Sequence, residues 1–158
     1  MRNSLRTGIS FGLTSAVITT LGLMIGLYSG THSKIVILAG ILTIAIADAF
    51  SDALGIHISE ESDNTRTAQQ VWGATIATFF SKCLFALTFA VPVLSLPLSA
   101  AIIVSLLWGF SILTALSYII ARSQGEPTWK IVSEHLIIAS LVLAITHWVG
   151  IWIGTMRV

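Results

Sequence analysis

Charged side chains are scarce in this chain: Asp, Glu, Lys and Arg make up 9% of its 158 residues, where soluble domains carry about a quarter. That shortage excludes an ordinary water-covered surface. Cysteine occurs once, as Cys83 within an apolar run, so no disulfide framework can form inside one chain. No basic run accompanies the net charge of +1, and nothing points to nucleic acid. No soluble domain, low-complexity segment or internal repeat is legible. Nor is there a nucleophile triad, a phosphate loop or a haem motif, so the chain is not expected to be an enzyme.

What is present is apolar. Hydrophobic residues are 55% of the chain, mean hydropathy is +0.92, and runs long enough to span a bilayer, roughly 20 residues each, fall near residues 8–30, 35–59, 71–94, 98–121 and 131–155. The expected fold is an all-α integral membrane protein, a single domain over residues 1–158 with five transmembrane helices. Arg2 and Arg6 ahead of the first run imitate a signal peptide, but that run is too long for one and four more follow it, so it is expected to stay in the mature protein. With Arg2, Arg6, Arg66, Arg122 and Lys130 on one side and Lys34 and Arg157 on the other, the excess of cations predicts N-in and C-out. Trp72 and Trp129 then lie at the inner interface, Trp148 and Trp152 toward the outer one.

The connections are short, and only the link over residues 60–70 is markedly polar. Small residues repeat at four-residue spacing in two spans: Gly22, Gly26 and Gly30 in the first, Ala47, Ser51, Gly55 and Ser59 in the second. Such stripes allow close helix approach, within one chain or across a homodimer seam, and the pattern does not choose between them.

The second span also carries two carboxylates, Asp48 and Asp52, one helical turn apart. Counted inward from Ser59, Asp48 lies about 16 Å deep, close to the midplane of a ~30 Å hydrocarbon core. Lys82, counted from Val71 on the third span, reaches the same level. An ion pair between Lys82 and either aspartate explains one carboxylate structurally. One cation cannot neutralise both, and the remaining carboxylate is the functional candidate, since ionisable groups at such depth are costly and mark ion or proton pathways by default. Two Asp on one face can also share a divalent cation, with Ser51 beside them and Glu60 and Glu61 gathering cations at the mouth. His57 is expected nearer the inner interface, and His147, deep in the fifth span, is a candidate proton acceptor. Lys82, His57 and His147 are thus the candidates for ion pairing and proton coupling. Glu134 complements the fifth helix's dipole. Cys83, Trp108 and the Phe79–Phe80 pair read as packing.

The stretches GLTSAVITTLGLMIGLYSG and LAGILTIAIADAFSDALGIHISEESD together resemble the vacuolar iron transporter family, whose first helix begins around N-D-G-L-V-T and whose second runs A-G-x-x-A-x-A-x-S-M-x-x-G-E-[YF]-x-S. The matching positions are Gly12, Leu13, Ala39, Gly40, Ala47, Ala49, Ser51, Gly55 and Ser59. The resemblance covers about a third of the chain. It implies a homodimeric carrier that moves Fe²⁺ or a similar divalent ion out of the cytosol in exchange for protons, along a path between the first two helices of both subunits. Phe11 stands where the family has Asp, Asp52 where it has a metal-facing Met, and Ile56 where it has Glu; the family's cytoplasmic metal-binding domain is reduced to residues 60–70. A carboxylate in place of a thioether favours oxygen-loving ions such as Mn²⁺ or Fe²⁺.

Two functions follow as expectations. One is a proton-coupled divalent cation transporter with a metal site at Asp48, Asp52, Ser51, Glu60 and Glu61. The other is a non-transporting membrane subunit or assembly factor that keeps the fold and uses the Asp/Lys cluster as a structural ion pair. No tightly bound cofactor is expected; the partners are the lipid bilayer, a second copy of the chain, the cation and protons. The expected location is a prokaryotic cytoplasmic (inner) membrane.

Overall fold

The computed structural model describes residues 2–156, with side chains from Ser4 onward. Arg157 and the Arg2 side chain, both used in the charge comparison above, lie outside the described residues. Five helices are long and apolar enough to cross a membrane, and no strand occurs among the described residues. The first runs over Arg2–Thr31. The second comprises Lys34–Thr43, a wide π turn at Ile44–Asp48 and Ala49–Glu61. The third comprises Ala68–Thr88 and Ala90–Ser95, the fourth Leu98–Gln124 and the fifth Thr128–Thr155.

Local chemistry accounts for the ends and the interruptions. Ser33 caps the second helix through the Val36 amide, and Thr67 and Gln70 form a reciprocal capping box at the start of the third. Pro92 has no N–H to offer the carbonyl of Thr88, and the third helix is interrupted at Phe89, one turn upstream. Gly125 ends the fourth helix with φ +72°, a conformation glycine adopts without penalty. At the opposite end of the bundle Lys34 Nζ donates to the free carbonyls of Leu94 and Leu96, at 3.1 and 3.3 Å. Linker residues 62–67 are shorter than the polar stretch 60–70 legible in the sequence, because the second helix continues through Glu61 and the third begins at Ala68.

The first helix is the hub, packing against all four others. Its buried residues recur every fourth position, from Ser4, Gly8 and Gly12 through Ala16, Thr20 and Met24. The fourth helix does the same with Ala101, Ser105, Gly109, Leu113, Ser117 and Ala121. Stripes at i±4 are the ridges that interdigitate in close helix packing. On a regular helix such a stripe drifts by about 40° per step. In the second helix the π turn winds part of that drift back, keeping Ile37, Ile41, Ala45, Ala49 and Ala53 buried on one side. The other side exposes Leu42, Ile46, Phe50, Leu54 and Ile58, a surface suited to lipid rather than water.

The two small-residue stripes have different fates. Gly26 and Gly30 meet the fifth helix: a Cβ on Gly30 would stand 2.9 Å from the Gly150 carbonyl oxygen, and one on Gly154 the same distance from that of Gly30. That seam lies within the chain. In the second helix Ala47, Ser51, Gly55 and Ser59 are all exposed, and a Cβ on Gly55 would meet nothing within 4 Å.

Candidate ion site

The second and third helices bring three charges together at the first helix. Asp48 is the last residue of the π turn and Asp52 lies in the first turn of the regular helix that follows. Lys82 belongs to the buried stripe Ala74, Thr78, Lys82, Ala86 of the third helix. Gly12 lets the first helix close on that stripe: a Cβ there would be 2.7 Å from the Thr78 carbonyl oxygen and 3.2 Å from the Lys82 amide nitrogen. This close approach delivers Ser15, less than one turn beyond Gly12, to the lysine.

Lys82 Nζ contacts Asp48 Oδ2 at 2.5 Å and Asp52 Oδ2 at 2.5 Å, and donates to Ser15 Oγ at 2.9 Å. Of the three ammonium protons, two make hydrogen bonds, to Asp52 and Ser15, and Asp48 is held as an ion pair. Lys82 is fully buried, whereas the Asp52 and Asp48 side chains are 20% and 37% exposed. The cluster therefore opens on the Asp48 side, beside the unpacked face of Ala47 and Ser51. Oδ1 of each carboxylate takes no part in these contacts. Ionised throughout, the trio carries one net negative charge, and at this depth that charge is stable only with a proton, a cation or water to offset it.

The remaining sequence candidates are placed elsewhere. Ser51 is exposed on the outer side of the second helix, and Glu61 is exposed at its end. Glu60 Oε2 faces Arg66 Nε at 3.4 Å. Arg66 also contacts Asp63, which accepts from the Thr65 hydroxyl at 2.7 Å and the Thr65 amide at 3.0 Å. These hydrogen bonds, first from the Thr65 side chain, then from its amide, with Arg66 adding to them, hold the Asp63 carboxyl below its ordinary value. His57 Nδ1 lies 2.9 Å from Thr75 Oγ1 and its ring sits edge-on to Trp72. Thr75 Oγ1 also lies 2.8 Å from the Val71 carbonyl oxygen, which accepts from it. His147 Nδ1 pairs with Ser29 Oγ at 2.6 Å in the half of the bundle far from the linker. Among the described residues no three His, Cys, Asp or Glu side chains converge as a metal site. Cys83 packs beside Ile44, Ala45 and Ala86, and Trp108 Nε1 donates to Thr88 Oγ1 at 3.1 Å, both in packing roles.

Ser15 escaped the sequence reading because a serine in an apolar helix has no periodicity of its own. The signal present in the sequence is the spacing of Gly12 to Gly8 and Ser15. The chain matches no protein-family model, no curated protein and no solved structure, so the chemistry of the site is read from its own residues.

Proposed function

We propose that the protein is a proton-coupled cation carrier whose exchange site is Asp48, Asp52 and Lys82. The observation that carries this reading is the imbalance of the cluster: two carboxylates share one buried ammonium at membrane depth, and the less buried of them, Asp48, borders an unpacked helix face. A cation arriving from that side competes with Lys82 for carboxylate oxygen and displaces the proton that offsets the trio's negative charge when no cation is bound. Oxygen donors suit Fe²⁺ and Mn²⁺, in line with the resemblance to vacuolar iron transporters. In this reading the chain works as a homodimer joined along Ala47, Ser51, Gly55 and Ser59, in a prokaryotic inner membrane with the N-terminus in the cytosol. Arg6, Arg66, Arg122 and Lys130 at one end of the bundle and Lys34 at the other support that orientation.

Proteoliposomes containing only this protein, loaded with Fe²⁺ or Mn²⁺ under an imposed pH gradient, provide the test. Flux in the native chain that is abolished in Asp52→Asn and Asp48→Asn is the expected result. Unchanged flux in both variants would remove the site from the pathway.

One observation favours a second reading, in which the chain is a non-transporting subunit. Lys82 is fully buried and its ammonium already contacts both carboxylates and Ser15, as in a permanent structural pin. Absence of flux from well-folded protein, together with a stoichiometric partner in native membranes, would select it.

A further inference from the structure

We infer that the chain holds an anionic glycerophospholipid of the phosphatidylglycerol type in a cleft between the first and fourth helices. At the end of the bundle where the first helix begins, a cavity of about 350 Å³ is lined on its polar side by Arg6, Ser10, Ser123 and Gln124. Leu116, Ile119 and Ile120 close its apolar side. Ile119 also borders an open, largely apolar face of the fourth helix that runs as far as Leu106. From Ile119 to Leu106 the helix advances about 20 Å, enough to line the ~15 Å that one leaflet's acyl chains occupy. A polar pocket at the membrane edge thus continues into an apolar surface of acyl length.

The polar lining matches one kind of headgroup. Arg6 is exposed, and no carboxylate lies within 4 Å of it among the described residues. A guanidinium in that setting takes a phosphodiester through paired hydrogen bonds. The Ser10 hydroxyl and the Gln124 amide group add donors. Ser123 gives its hydroxyl hydrogen to the Ile120 carbonyl at 2.8 Å, so its oxygen is left to accept, which suits a headgroup with a free hydroxyl. This site is separate from the Asp48–Asp52–Lys82 cluster and stands whether or not the chain transports.

Native mass spectrometry of the intact chain in mixed micelles of equal phosphatidylglycerol and phosphatidylcholine reads the preference. Retained phosphatidylglycerol should exceed phosphatidylcholine, and Arg6→Gln should cut that ratio by about tenfold, the scale of one lost charged hydrogen bond. Arg122→Gln, at the same end of the bundle but outside the cavity, should leave the ratio unchanged. Ile119→Trp, which keeps the charge and blocks the apolar seam, should lower it as Arg6→Gln does. Equal losses in Arg6→Gln and Arg122→Gln would overturn the proposal in favour of diffuse surface charge. So would displacement of the lipid by equimolar glycerol phosphate, which would make the cavity a soluble-anion site.

Discussion

Ser15 Oγ accepts a hydrogen bond from Lys82 Nζ at 2.9 Å, and so the first helix, which carries no intramembrane charge of its own, completes the ion cluster of the second and third. A serine on the central helix couples the charge state of the cluster to the packing of the bundle. Ser15→Ala is expected to leave the fold intact and free one ammonium proton, weakening the cluster by roughly 1.5–3 kcal/mol as a lost hydrogen bond to a charged group. Thermal unfolding in detergent, with native and Asp48→Asn backgrounds compared in a double-mutant cycle, reads that coupling. An additive result would show that Ser15 and the carboxylates act independently.

Removing Lys82 has a larger effect. Lys82→Ala strands two carboxylates inside the bundle and should cost about 3–5 kcal/mol, the usual scale for breaking a buried pair from one side. Replacing all three charges, with Lys82→Met, Asp48→Asn and Asp52→Asn together, should recover most of that loss. Equilibrium unfolding of the single and triple variants checks the pair of outcomes. A triple variant no more stable than Lys82→Ala would show that shape rather than charge holds the site.

The two glycine stripes separate folding from association. Gly30→Leu drives a side chain toward the Gly150 carbonyl, 2.9 Å from where its Cβ would stand, and should unfold the seam between the first and fifth helices. Gly55→Leu meets no atom of its own chain within 4 Å of its Cβ. It should preserve the thermal transition of the protomer while weakening the proposed dimer. Analytical ultracentrifugation in detergent distinguishes these, and an intact dimer in Gly55→Leu would exclude that face as the seam.

The linker has its own pH response. Hydrogen bonds from Thr65 and the neighbouring Arg66 lower the Asp63 carboxyl below its ordinary 3.8. A depressed folded value means that its stabilising contribution is fully present above the unfolded value and is lost as the pH falls through the folded one. Amide exchange at Thr65 should therefore accelerate only below about pH 3.8, the unfolded value. In Asp63→Asn that acid step should disappear. An equal acid step in this variant would assign it to another group.

Much of this arrangement can be read from residues alone. Apolar run length sets the five helices, and counting 1.5 Å per residue puts Asp48 and Lys82 level, as found in the structure. The count does not choose between Asp48 and Asp52, and the structure shows why no choice was needed: Lys82 takes both. What escapes is whatever depends on two helices meeting. The π turn at Ile44–Asp48 leaves no mark in a run of Ile and Ala. The Gly12 contact that brings in Ser15 is set by the partner helix. Glu60 looks like a solvated helix end until Arg66, in the turn that follows, folds back on it.

Cation-driven proton movement bears most directly on the exchange site. Liposomes carrying the protein and a trapped pH dye should become alkaline inside when Mn²⁺ is added outside, because each entering cation displaces protons from the carboxylate cluster. Asp48→Asn with Asp52→Asn should abolish the change while the protein stays folded. The same alkalinisation in that double variant would contradict an exchange at Asp48, Asp52 and Lys82.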